Sequence, residues 1–165
     1  MPLPATRHAR CRMWVPPEQR DPIVLHAPTR KSVACFGAVS VGTGKLVTLF
    51  EPKFNGESFQ RFLQLLLRHR SRGKCLVLVL DNAKYHHARA LEPWLNQHRE
   101  QLTLLFLPPY SPELNPVERV WKLARRLATH NRHFPTLDDI MDAVSERFGL
   151  WARSNRQLAR LCAII

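Results

Sequence analysis

Two carboxylates with 36 residues between them, Asp81 and Glu118, stand where an α/β chain does chemistry. Asp81 directly follows LVLVL, an apolar run that reads as a strand. In open α/β sheets ligands bind beyond the carboxyl ends of the strands. Glu118 sits in the first turn of a helix, just past a proline-rich loop. Facing carboxylates repel, and one pKa rises, unless a cation lies between them. Mg²⁺ resolves this because it is hard, takes oxygen ligands and keeps waters for chemistry. Two such ions activate an attacking water or hydroxyl and stabilise the leaving oxygen. The layout is that of a metal-dependent site for cutting phosphodiesters. A single Asp/Glu pair is short of the ligands such a site needs.

Each of these residues also has a plainer reading. An Asp after a strand is a common turn or cap residue. Asn115-Pro116-Val117-Glu118 has the form of a capping box with Glu at the third helical position, a structural role. Against this, helix spacing places Lys122 and Arg125 on the Glu118 face, opposite Val117 and Trp121. A carboxylate at the head of a basic face suits a meeting of metal and phosphate, and Arg119 is a further candidate DNA contact beside it. His86 and His87 follow Asp81 by five and six residues. They would shuttle a proton or contact phosphate, or simply be polar residues at a helix start, which is the commoner case. Tyr110 braces its loop or stacks on a base; bracing is favoured. The Arg68–Lys74 run reads as a solvated helix end with nonspecific phosphate contact.

The elements that position these groups follow from periodicity. Residues 1–31 are punctuated by prolines at 2, 4, 16, 17, 22 and 28 and read as an irregular basic lead-in. Ser32–Ser40 and Lys45–Phe50 read as the two strands of a hairpin around Gly42-Thr43-Gly44. Gly56–Arg70 is a helix, with Phe59, Phe62, Leu63, Leu66 and Leu67 on one face. Leu76–Leu80 is apolar throughout, which predicts a parallel strand buried on both faces. His87–His98 is predicted helical, with Leu91, Trp94, Leu95 and His98 aligned and Pro93 early in it. Thr103–Leu107 is a second buried strand, expected beside Leu76–Leu80. Asn115 caps the next helix and Pro116 opens it, with Val117, Val120, Trp121, Ala124 and Leu127 inward. Thr136 caps another helix carrying Leu137, Ile140, Met141, Val144 and Phe148, and Gln157–Ile165 forms a short last one. The order is β-β-α-β-α-β-α-α. It implies parallel pairing with right-handed crossovers and a hairpin on the same sheet.

Composition bounds the partners. A chain of 165 residues is one domain with a real core. Its net charge of +12 predicts attraction to a polyanion, most plausibly nucleic acid. No apolar run approaches a membrane span, and the basic start has no secretory apolar region. Cys11, Cys35, Cys75 and Cys162 are widely spaced without a C-x-x-C pair, so thiols in a cytosolic protein are expected rather than zinc or disulfides.

LVLVLDNAKYHHA followed by LLFLPPYSPELNPVERVWKLARR resembles the second and third acidic motifs of insertion-sequence transposases related to mariner elements, in the DDE superfamily. The resemblance runs from about Trp14 to Phe148. It implies a ribonuclease H-like α/β fold over 32–150, a mixed sheet with flanking helices, with 151–165 a helical tail. It implies Mg²⁺- or Mn²⁺-dependent cleavage of transposon ends and strand transfer into target DNA. Asp81 would match the second catalytic acid and Glu118 the third, both as metal ligands. The first acid belongs to a central strand upstream of the segment matched by Arg12-Met13-Trp14. That strand and an amino-terminal helix-turn-helix are expected to be missing here, and Asp21 does not match the role. Such a fragment would be inactive alone. Ile23–Leu25, or a strand from elsewhere, would have to fill the gap. The chain would be a decayed remnant or the downstream frame of an enzyme made by frameshifting. Expected partners are DNA and a homodimer mate or an upstream-frame product, in the bacterial cytoplasm near the nucleoid. The alternative is a non-catalytic DNA-binding protein that modulates an intact transposase. A ribonuclease H-like nuclease outside transposition is disfavoured by the motif match.

Overall fold

A computed structural model describes residues 32–109, 111–130 and 132–163. The lead-in, with Cys11, Trp14, Asp21 and Ile23–Leu25, lies outside the described residues, as does Tyr110.

The first two strands, β1 (Ala34–Val39) and β2 (Leu46–Glu51), pair antiparallel in a register running from Ala34↔Glu51 to Val39↔Leu46. Alternation sends Phe36, Ala38, Val47 and Leu49 to one face of the hairpin and Cys35, Val39, Leu46 and Phe50 to the other. Both faces are covered. On the first lies α1 (Gly56–Arg68), started by a capping box in which Asn55 and Ser58 exchange side-chain-to-backbone hydrogen bonds. Its buried Phe59, Phe62, Leu63 and Leu66 join Phe36, Leu80, Leu91 and Leu102 in one core.

On the second face lie three helices: α3 (Pro116–Ala124), α4 (Leu137–Trp151) and α5 (Arg156–Cys162). Val120, Leu123, Ala124, Phe148, Trp151, Leu158 and Cys162 close a second core there with Leu46. Two glycines allow this closeness. A Cβ at Gly37 would overlap the Trp121 ring lying across β1. Gly44, at φ +67°, turns the hairpin so tightly against α5 that a Cβ would overlap the Asn155 carbonyl and the Ala159 amide. The Asn155 amide donates to the Thr43 carbonyl at 2.8 Å and completes that joint.

The parallel pair is β3 (Leu76–Leu80) and β4 (Leu102–Phe106), in register from Leu76↔Leu102 to Leu80↔Phe106. Between them the chain makes two 3₁₀ turns, Lys84–His87 and Arg89–Leu91, before a short α2 (Glu92–Gln97). This corrects the longer helix expected from His87. Pro93 has no amide hydrogen and fits only a first turn, so the α-helix starts at Glu92.

Three further expectations are corrected. The hairpin and the β3–β4 pair do not share one ladder among the described residues; each is a two-stranded sheet. A cleft of about 1250 Å³ separates them, walled by β1 on one side and β3 on the other. Nor are β3 and β4 buried on both faces. Val77 is 54 % exposed, Val79 43 % and Leu105 50 %, because α3, α4 and α5 pack over the hairpin. Finally, Leu127 is exposed and Ala128 is buried in its stead. A π turn over Arg125–Thr129 widens the helix there, so the inward position one turn past Ala124 falls a residue later. Among the described residues no helix is long and apolar enough to cross a membrane.

Candidate active site

Asp81 stands at the carboxyl end of β3, where the ladder stops and the chain turns. Its Oδ1 accepts from the Ala83 amide at 3.2 Å, a short Asx turn that ends the strand. Asn82 donates from Nδ2 to the Leu107 carbonyl, and the Leu107 amide donates to the Leu80 carbonyl at 2.8 Å. These two bonds bind the end of β3 to the start of the proline-rich loop. The Asp81 side chain is 60 % exposed, whereas that of His86, directly beneath it, is only 8 % exposed.

His86 Nδ1 lies 2.9 Å from the Asp81 main-chain oxygen and 3.2 Å from Oδ1. Its ring packs on Phe59 and on the edge of Tyr85, each with centroids 4.4 Å apart. Burial lowers the imidazole pKa, opposed by the hydrogen bond and charge of Asp81. The hydrogen bond of the ring is to the Asp81 main-chain oxygen. Burial, aided by the Asp81 charge, also pushes the Tyr85 hydroxyl up to about 12. His87 takes a different place, exposed and stacked on Phe106 at 4.3 Å.

Glu118 enters from the other wall. A 3₁₀ turn over Pro112–Leu114 folds the loop back, and Asn115 caps α3 by accepting from the Val117 amide at 3.3 Å. The reciprocal half of the expected capping box is not formed. The Glu118 amide donates to the Asn115 carbonyl at 3.1 Å, and its carboxylate takes no hydrogen bond among the described residues. Asp81 and Glu118 line the same cleft, with Asn115 and Trp121 beside them. They are the only acids among its lining residues. Among the described residues no group of three or more His, Cys, Asp or Glu side chains is arranged to hold a metal.

The three basic candidates separate. Lys122 and Arg125 are exposed on the Glu118 side of the helix. Arg119 is engaged elsewhere: its Nη1 donates to the Leu161 and Ala163 carbonyls at 3.0 and 3.1 Å, capping the carboxyl end of α5. Sequence reasoning missed the roles of Asn82 and Arg119. Each depends on a carbonyl 25 or more residues away, which no local pattern reveals. Cys35, Cys75 and Cys162 are free thiols.

Known proteins resemble this chain at the level of sequence and of fold. A Sinorhizobium fredii protein, y4pE/y4sA, is 41% identical over 106 residues, 64% of this chain and 75% of that protein. The 39 kDa protein of insertion element IS630 from Shigella sonnei is 30% identical over 111 residues, 66% of this chain and 31% of that protein. The Tc3 transposase of Caenorhabditis elegans is 26% identical over 141 residues, 81% of this chain and 42% of the transposase. The solved Mos1 strand transfer complex contains a chain that superposes with a TM-score of 0.67 at 21% identity, over 93% of this chain and 45% of that one. The architecture is thus the ribonuclease H-like α/β fold of that neighbour. Residues 4–141 match the family described as DDE superfamily endonuclease. With most of its length inside that match, and with an insertion element and a Tc3 transposase among its relatives, the chain belongs to the DDE superfamily of endonucleases, as a transposase-type domain.

Proposed function

We propose that Asp81 and Glu118 are two acids of a DNA-cutting and strand-joining site and that both are ligands of Mg²⁺ or Mn²⁺. One observation carries this reading. Both carboxylates border one cleft, and among the described residues neither is neutralised by a Lys or Arg. Members of the DDE superfamily depend in general on divalent metal. The donor set fits such an ion, since Mg²⁺ is commonly held by one or two carboxylates with waters and substrate phosphates completing its shell. When bound, the metal supplies a Lewis acid and an activated water. The chain's own residues do the positioning. Asp81 is set by the Asx turn and by His86, and Glu118 by the start of α3. Lys122 and Arg125 contact DNA phosphates on the same side. The names of the relatives support transposon ends and target DNA as substrates.

On this reading the domain occupies 32–150. The tail over 151–165 is then part of its support, since Leu158 and Cys162 are fully buried against α3. Two carboxylates leave a metal pair short of ligands, so a third acid from outside the described residues is expected to line the same cleft.

The test is metal-dependent nicking of plasmid DNA, with Mg²⁺ or Mn²⁺ present and with the metal chelated. Nicking is expected only with the metal, and Asp81→Asn or Glu118→Gln abolishes it. Nicking indifferent to both substitutions would overturn the assignment. The net charge of +12 favours one rival, a DNA-binding protein that modulates an intact transposase. That reading expects salt-sensitive binding that survives Asp81→Asn and no nicking under either condition.

A further inference from the structure

We infer that Phe54 and Tyr85 form a stacking site for an unpaired DNA base in the cleft that Asp81 and Glu118 border. The inference rests on the reading of that cleft as a DNA-cutting site and deepens it. It names the form of DNA taken there, a strand with a base out of the duplex stack.

Phe54 lies in the loop between β2 and α1, and Tyr85 in the 3₁₀ turn after β3. Their rings are nearly parallel, 13° apart, with centroids at 5.4 Å. At that separation the rings are offset, so each leaves part of its face uncovered by the other. Beneath them stands Phe36, only 5 % exposed and nearly perpendicular to both, at 4.9 Å from Phe54 and 5.8 Å from Tyr85. The loop is held as well. Ser58 Oγ donates to the Lys53 carbonyl at 2.9 Å, and the Asn55 side chain accepts from the Ser58 amide at 2.7 Å. Phe54 is nevertheless 46 % exposed. It lines the cleft together with Tyr85, Asp81 and Glu118.

Core packing explains Phe36 and Phe59, which are buried, but not an aromatic ring fixed on a rigid loop and left half open to solvent. The charges beside the pair select the occupant. Lys53 and Lys84 directly precede the two rings in sequence, and both are exposed. Among the described residues neither is ion-paired. Aromatic faces flanked by cations suit a nucleotide, whose base stacks while its phosphates meet the ammonium groups. The Tyr85 hydroxyl, pushed up to about 12 by burial and then by the Asp81 charge, stays neutral at ordinary pH and sets no anion against those phosphates. Inside a duplex each base face is covered by its neighbours, so only an unpaired base can offer one to these rings. Every base has such a face, and the site is therefore tolerant of sequence.

Two measurements on the intact chain test this, both with metal chelated so that no strand is cut. The first maps photo-crosslinks from 5-iodouracil placed in a short single-stranded overhang of a DNA duplex. Crosslinks are expected in the peptides that carry Phe54 or Tyr85; crosslinks confined to other peptides overturn the inference. This mapping needs no variant, so it decides even if a substitution disturbs folding. The second compares affinities for the overhang duplex and a blunt duplex. Phe54→Leu should weaken overhang binding by about fivefold to a hundredfold, the range that one stacked base is worth. It should leave blunt-duplex binding unchanged, and Phe54→Trp should keep the overhang preference. Equal loss on both duplexes, or none on either, reduces the ring pair to a hydrophobic cluster. Asp81→Asn should retain the overhang preference. If that preference depends on Phe54 while metal-dependent nicking ignores Asp81→Asn, the stacking site stands and the cutting reading falls. If nicking needs Asp81 but overhang binding ignores Phe54→Leu, the stacking inference falls alone.

Discussion

Asp81 and Arg119 show how differently a charge is used at the scale of one residue. Asp81 keeps its carboxylate 60 % exposed and ties it only to the Ala83 amide of its own turn. Arg119 turns away from the cleft to cap α5 through two carbonyls. Hydrogen bonds from a charged group contribute roughly 1.5–3 kcal/mol each. Arg119→Ala should therefore lower the melting temperature by several degrees while leaving DNA affinity nearly unchanged. Lys122→Ala should do the reverse, and paired melting and binding curves separate the two. Cys35 offers a second residue-scale test, because it lines the cleft. Burial pushes its thiol up to about 12. The thiolate is the nucleophile, and near pH 8 only ~10⁻⁴ of Cys35 would be ionised at that pKa. Iodoacetamide mapping should label the exposed Cys75 promptly and Cys35 only after denaturation.

At the scale of elements, local sequence signals were sufficient wherever a cap or a tight turn set the boundary. Thr136 and Asp139 form the capping box that starts α4, with Thr136 accepting from the Asp139 amide at 3.2 Å. Thr136→Ala should cost about 1 kcal/mol, or a fall of ~3 °C for a chain of this size. Gly44 is a harsher case. Its left-handed φ of +67° already disfavours a side chain. A Cβ would also overlap the backbone of α5. Gly44→Ala should destabilise by more than ~2 kcal/mol, since backbone cannot yield as a flexible side chain does. Thermal unfolding, compared with Gly42→Ala where the space is open, checks it. Local signals failed at α2 and at Leu127. In both, one turn departs from α geometry, as 3₁₀ before Glu92 and as π after Ala124, and a period of 3.6 no longer tracks the inward face.

At the scale of the molecule, two features act together: an excess of positive charge and an open cleft beside two acids. A net charge of +12 draws in a polyanion and makes its binding salt-dependent. Titration of duplex DNA over a range of salt should give a linear fall of log K with log salt concentration. Lys122→Ala and Arg125→Ala should each reduce the slope by about 0.9 if each meets one phosphate. An unchanged slope in both would move the DNA track away from this face of α3. The apolar side chains on the uncovered face of the β3–β4 pair, Val77, Val79 and Leu105, give a further drive to cover this side. Burying each would stabilise by roughly 1.5–3 kcal/mol.

The chain's own sequence determined the elements, their order and the two acids. Hydrophobic periodicity, Asn55, Asn115 and Thr136 as caps, and the run from Leu76 to Asp81 are short-range signals, readable within a few residues. It also carried the family, because the string around Asp81 and the one ending in Glu118 are specific together. Only tertiary structure decided which apolar strands are covered, since an unbroken run such as LVLVL says what can be buried and not what packs upon it. It alone set Arg119 on α5, released Glu118 from its capping box and placed a buried imidazole under Asp81. Those outcomes depend on groups brought together across a cleft or between helices. They are settled by packing and by the need to satisfy buried hydrogen-bonding atoms, not by spacing along the chain.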